Sequence, residues 1–338
     1  MTKLRVLVLM HEELVPPAEA TAEESLSADW KMEFDVLSFL RTAGHEVQAL
    51  GVGDDLRVVR QGIEDGQSQI AFNLLEHFHE VPIFDQNVVS YLELLRLPYT
   101  GCNPRGLLLA RDKALTKKLL MYHRILVPDF AVFPIGRAVR RPKRLAFPLI
   151  VKSLTHEASI GIAQASVVDD DGKLRERVQF IHESSGTDAI VERYIEGREL
   201  YVSILGNSRL EVFPIWEMFF ANMPAAAWHI ATDRVKWSST YQARHGIKTD
   251  SAEGLDKDEV TRIQHVCKRV YRTLGLSGYA RIDLRRDAEG NIYVLEANPN
   301  PQLAYGEDFA ESAERGGMSY QALLQRILTL GLSWHRQR

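Results

Sequence analysis

At 338 residues the chain is longer than a single hydrophobic core usually spans, so two or three domains are expected. An apolar content of 45% and a charged content of 25% are ordinary for a globular protein, and a formal net charge of -4 excludes any general electrostatic drive toward nucleic acid or an anionic membrane. Cys102 and Cys267 have no metal-type spacing and fit packed, reduced thiols, and no stretch approaches the ~20 apolar residues of a membrane span.

Leu4 to Met10 is apolar throughout, the pattern of a central parallel strand buried on both faces, and acids follow it where a signal peptide would carry a cleavage site. A first strand and a cytoplasmic location are therefore expected. A helical pattern runs through Phe34, Leu37 and Leu40 to Gly44, and strands at 46–50 and 69–75 flank a helix at 56–64. Strand-helix-strand alternation predicts a Rossmann-like parallel α/β unit over residues 1–104, but no Gly-x-Gly-x-x-Gly follows the first strand, so a dinucleotide cradle is not supported.

Glu76-His77-Phe78-His79-Glu80 has metal-ligand residue types. Extended alternation would put His77 and His79 on one side, and no further ligand set is evident nearby, so solvated or substrate-facing histidines are expected. A helix is predicted from Asp85 to Leu95, then Leu97-Pro98-Tyr99-Thr100-Gly101, then one helix from Pro104 to His123 that carries Asp112-Lys113. The basic run Arg137 to Arg144 contains Pro142 and no aromatic residue, which favours a solvated linker over a nucleic-acid site.

Phe147 to Lys152 reads as a strand ending in lysine before the turn Thr155 to Gly161, an arrangement suited to holding phosphates. After a helix at 173–183 comes Ile190-Val191-Glu192-Arg193-Tyr194-Ile195-Glu196-Gly197-Arg198-Glu199. Read from its residues alone, this stretch is evenly a plain turn between two strands with its charges in water or a hinge whose backbone and carboxylates serve a ligand. Lys236-Trp237 follows an irregular segment. Asp256-x-x-Glu259 opens a helix like a capping box, with Val260, Ile263, Cys267, Val270 and Leu274 on its apolar stripe.

Two alternating runs flank Ala288-Glu289-Gly290-Asn291 and predict a hairpin with those four residues as its loop. Asp283 then lies opposite Glu296 and Arg281 opposite Asn298, while Ile282, Leu284, Leu295 and Ala297 share the apolar face. Facing carboxylates repel unless a cation sits between them, and the oxygens of Asp283, Glu296 and Asn298 suit Mg2+ with Arg281 beside a phosphoryl group. The competing reading is a solvated hairpin face, against which the stiff Asn-Pro-Asn-Pro at 298–301 argues.

From Asp85 to Leu330 these motifs together resemble the ATP-grasp superfamily, and within it the D-alanine:D-alanine ligases. The resemblance implies an ATP-grasp fold of mixed α/β and α+β class: a substrate unit at 1–104, a central unit with a lid loop at 105–195, and a metal-bearing unit at 196–338. It implies ATP and two Mg2+ ions, with Mn2+ as the substitute ion, held on Asp283, Glu296 and Asn298. Lys113, Lys152, Ser159, Glu192, Arg193, Ile195 and Glu199 are the expected ATP contacts, and Arg281 and Lys236 the catalytic cations.

The implied activity is ATP-dependent joining of a carboxylate to an amine through an acyl phosphate, with amino acids or peptides as substrates and a homodimer as the assembly. An ATP-binding regulator and an ATP-grasp phosphotransferase are the alternatives. Two segments depart from the family: bulky residues replace a glycine-rich loop around His79, and Asn300 to Asp308 replaces a Ser-Pro-Gly-Met-like turn. His79, Gln302 and Glu307 are the candidate substrate contacts, and a glutamate near the usual serine implies a more basic or larger acceptor than D-alanine.

Overall fold

The computed structural model describes residues 3–156 and 161–336. The first three strands, β1 (Arg5–His11), β2 (Glu46–Val52) and β3 (Ile70–Asn73), form a parallel sheet in the order β2-β1-β3. Val6 to Met10 of β1 are all at most 1% exposed, and alternate residues enter two different cores, as the unbroken apolar run required. Tyr99 bridges Ala71, so the Leu-Pro-Tyr-Thr-Gly stretch extends the sheet beyond β3.

A second sheet, wholly antiparallel, contains β4 (Phe130–Phe133), β5 (Leu149–Ser153), β6 (Val167–Val168) and β7 (Ala189–Arg193) in the order β4-β7-β5-β6. Its own core is closed by the Asp171–Ser185 helix, which buries Leu174, Val178 and Ile181 at helical spacing. The third sheet has six antiparallel strands: β8 (Arg198–Leu205), β9 (Glu211–Val212), β10 (Trp216–Phe220), β11 (Ile247–Ser251), β12 (Tyr279–Arg286) and β13 (Ile292–Pro299). The Lys257–Thr273 helix backs β12 and β13 with Ile263, Cys267 and Val270. Each fully buried Ile or Val of this kind stabilises the fold by about 1.5–3 kcal/mol.

The first and third sheets share cores. Leu7 and Leu9 of β1 lie in the same cluster as Leu200, Ile282 and Val294, and the final helix, Tyr320–Arg336, packs against β3 and the Lys31–Thr42 helix. A close approach of Gly278 to Gly101 locks them: Gly278 has φ +71, and a Cβ there would lie 2.4 Å from the Gly101 carbonyl oxygen. Both cysteines are fully buried, and burial pushes the Cys102 thiol up to about 12 and Cys267 higher still, so neither is reactive.

Four expectations are corrected. The helix from Pro104 to His123 is two helices, Pro104–Arg111 and Lys113–Tyr122, because Asp112 is extended (ψ 100) and its carboxylate caps the second by accepting from Ala114 N and Leu115 N at 2.9 Å each. The hairpin loop is five residues, Asp287 to Asn291, because Arg286 pairs with Ile292. The pairing shifts between Asp283 and Leu284, which pair with Glu296 and Val294, so Leu295 is a bulged extra residue and Val294 takes its place on the apolar face. At Asp256 the N-cap forms, but Glu259 turns its carboxylate to Arg286 instead of closing a capping box.

Candidate active site

The strand β7 belongs to the second sheet and β8 to the third, and the turn Tyr194 to Gly197 carries the chain between them. Beside this hinge lies a cleft whose empty space, open solvent at its mouth included, is about 760 Å3. Nine of the expected residues line it: Lys113, Lys152, Glu192, Arg193, Ile195, Glu199, Lys236, Asp283 and Glu296. Ile150, Ile162, Ile230, Ala231 and Leu295 supply an apolar wall of the kind a purine ring requires. Ser159 lies outside the described residues.

The bulge shapes the floor. It keeps Asp283 opposite Glu296 and turns Leu295 into the cleft, while the Leu295 carbonyl accepts from Lys117 Nζ at 2.7 Å. Burial alone would raise the Glu296 carboxyl, but Lys113, Lys236, Lys152 and Arg281 together outweigh it and hold its pKa at about 2. Asp283 is more enclosed: burial pushes its carboxyl up, against the bidentate pull of Arg281, whose Nε and Nη2 lie 2.8 and 2.9 Å from the two carboxylate oxygens. Arg281 and Asn298 sit opposite each other one side-chain repeat along the hairpin, just beyond the cleft.

Three features in or beside the cleft are not among the site residues expected from the sequence. Lys117 is completely buried and pairs with Glu192 at 3.2 Å, and Lys152 meets the other Glu192 oxygen at the same distance. Burial would raise Glu192, but the two lysines hold it below the usual carboxylate range; at Lys117 burial dominates and lowers the pKa. The second is Arg285, whose guanidinium is clamped between the Glu199 carboxylate (2.7 Å) and the Ile195 carbonyl (3.0 Å), with the His229 carbonyl also accepting from it. Tyr201 donates to the other Glu199 oxygen at 2.9 Å, which leaves one lone pair on each oxygen for further donors. The third is Leu295 itself. Lys117 alone had an available clue, since it is one helical turn beyond Lys113.

The substrate candidates lie apart from this cleft. His79 is exposed near Asp54, with Nδ1 3.9 Å from the carboxylate, whereas His77 is half-buried against His11; left-handed backbone at His79 and Glu80 breaks the alternation that would have placed both histidines on one side. Gln302 is half-buried, and Glu307 is the exposed N-cap of the Asp308–Arg315 helix. Burial and Asp308 push Glu307 up, and burial pushes Asp308 up against the influence of Arg281 and Lys236.

Residues 125–329 match the family model described as D-ala D-ala ligase C-terminus. The chain belongs to the D-alanine–D-alanine ligase family. It is 32% identical over 304 residues to the D-alanine–D-alanine ligase of Desulforudis audaxviator (strain MP104C), covering 87% of this chain and 90% of that one. An uncharacterized protein of Sinorhizobium fredii, y4sG, is 30% identical over 261 residues, or 77% and 74% of the two chains. The ligase of Bacillus anthracis solved in complex with ATP superposes with a TM-score of 0.77 at 22% identity, over 100% of this chain and 99% of that one. The fold is thus that of an ATP-grasp ligase along its whole length, the first parallel sheet included.

The donor set also suits the divalent ion that the ligase family implies. Asp283 and Glu296 offer hard oxygens from facing positions, and Glu296 is ionised at neutral pH. Among the described residues the Asn298 amide nitrogen is buried without a partner, as fits an amide whose oxygen rather than nitrogen faces a ligand.

Proposed function

We propose that this ATP-dependent ligase joins a carboxylate to an amine through an acyl phosphate, and that its acceptor amine carries additional positive charge. The observation that supports the reaction is the convergence of Lys113, Lys152, Lys236 and Arg281 on the ionised Glu296. So many cations around one carboxylate are suited to a polyphosphate rather than to Glu296 alone. Glu199 would receive the ribose hydroxyls on its remaining lone pairs, the apolar wall would hold adenine beside Ile195, and Lys113, Lys152 and Lys236 would hold the phosphates. Asp283, Glu296 and Asn298 would carry Mg2+, which supplies charge neutralisation at the β- and γ-phosphate oxygens when bound.

In the first step a donor carboxylate oxygen attacks the γ-phosphorus, the bond to the β-phosphate oxygen breaks and ADP leaves. Arg281, held in orientation by Asp283, stabilises the charge on the transferred group. In the second step the amine nitrogen attacks the acyl carbon, and the tetrahedral intermediate expels phosphate while the nitrogen loses a proton, giving an amide.

The acceptor reading rests on the acidic entrance to the Asp308–Arg315 helix. Glu307, Asp308 and Glu311 all have raised pKa values, with burial the largest cause for each and like-charged neighbours adding to it at Glu307 and Glu311. A cationic substrate group would relieve that repulsion. Steady-state kinetics with neutral and basic amine acceptors tests this: Glu307→Gln should lower kcat/KM for the basic amine by about tenfold, the worth of one charge-assisted hydrogen bond, with little effect on ATP KM. Efficient use of D-alanine, unchanged in the variant, would sink the acceptor reading.

A further inference from the structure

The histidine-rich segment after β3 acquires a partner that local sequence does not reveal. His11 ends β1, and His77 follows the end of β3, its parallel neighbour, so the two side chains meet at the carboxyl edge of the sheet, where parallel sheets place their ligands. Their ring centroids are 4.5 Å apart at 47°. The chain then folds back on itself. Phe78 and Val81 bridge each other, and the intervening His79 and Glu80 have φ of +53 and +58, values that a tight two-residue turn normally assigns to asparagine and glycine. This turn returns the Glu80 carboxylate to 3.3 Å from His11 Nε2.

We propose that His11, His77 and Glu80 form a binding site for a divalent transition-metal ion of the zinc class, distinct from the carboxylate site at Asp283 and Glu296. One ligand atom from each residue lies within 4.8 Å of the others. His77 Nδ1 is buried and has no hydrogen-bond partner among the described residues, so an ion-free hydrogen bond between His11 and Glu80 leaves this polar atom unexplained. Burial and neighbouring His11 lower the His77 pKa, which keeps the ring in the neutral form that ligates metals.

The donor types select the ion. Two imidazoles and one carboxylate suit zinc, cobalt or nickel, whereas magnesium prefers an all-oxygen shell. Three protein ligands leave a fourth position for water or a small donor. Beside the site, Glu13 donates its backbone N–H to His11 Nδ1 at 3.4 Å and keeps its carboxylate 4.0 Å from that atom. Ligation through Nε2 puts the ring proton on Nδ1, so the Glu13 N–H contact, already long at 3.4 Å, gives way when the ion binds.

The test is titration of the chelator-treated full chain with Zn2+ by calorimetry and with Co2+ by visible absorption, in a large excess of Mg2+. One tight equivalent per chain is expected, undisturbed by Mg2+, with Co2+ bands of a low-coordinate nitrogen and oxygen site. His77→Ala should abolish that equivalent. Glu80→Gln, at an 82% exposed side chain that cannot unfold the protein, should weaken it at least about tenfold. Circular dichroism and ATP binding of each variant check the fold. Absence of saturable binding would overturn the proposal, and so would an equivalent retained at full affinity in both Glu80→Gln and a folded His77→Ala.

Discussion

Glu192 shows how a single charge can serve both packing and chemistry. It sits between Lys117 and Lys152, the first of them completely buried, so its removal strands a cation that water cannot reach. Glu192→Gln is expected to destabilise the protein by about 3–5 kcal/mol in urea denaturation, the usual cost of breaking a buried pair. Glu33 is the opposite case. It is 1% exposed, no other side chain among the described residues pairs with its carboxylate, and burial raises its pKa to about 7 against a backbone hydrogen bond that lowers it. A carboxyl whose folded pKa exceeds its unfolded value binds a proton more tightly in the native state. Its ionisation therefore costs nothing below about pH 4.5 and reaches its full penalty above about pH 7, on the order of 3 kcal/mol. Glu33→Gln should remove that contribution, so that its stability relative to the parent rises between those limits when melting is followed against pH; parallel curves would refute it.

Among the elements, the β12–β13 hairpin organises the site, and its bulge does so by breaking the alternation that made the hairpin recognisable. The facing pairs Arg281 with Asn298 and Asp283 with Glu296 were legible because both strands alternate strictly over those residues. The shift beyond them was not, since a bulge depends on what lies across the strand, here the Lys117 ammonium that takes the Leu295 carbonyl. Asp112 was hidden for a related reason: its capping role competes with an otherwise continuous helical pattern, and the outcome depends on where Lys113 and Lys117 must point. Gly278 offers a test of the junction between the first and third sheets. Gly278→Ala combines a left-handed φ with a contact to the Gly101 carbonyl, and should lower stability by more than about 1 kcal/mol in denaturant titration.

Across the whole molecule, nearly all the nucleotide residues expected from the sequence gather in one cleft between the second and third sheets, because each lies in a short motif whose chemistry is local: a lysine at a strand end, a hinge, a hairpin face. What stayed hidden is what tertiary packing creates. Arg285 is one charged residue among several on its strand until the fold presses it against Glu199 and the hinge, and His11 gains meaning only where β1 ends beside β3. At the acceptor end Glu307 was legible as a candidate, whereas the raised pKa values of the exposed Glu307 and the half-buried Asp308 were not.

The central claim is carboxylate activation by ATP, and the most direct measurement follows oxygen. The protein is supplied with ATP, Mg2+ and a panel of amino acids, dipeptides and polyamines whose donor carboxylates carry 18O, and the released phosphate and condensed products are read by mass spectrometry. The account predicts an amide product, with one labelled oxygen transferred from the donor carboxylate to phosphate. A stable phosphorylated product without an amide, or ATP binding with no turnover across the panel, would contradict it.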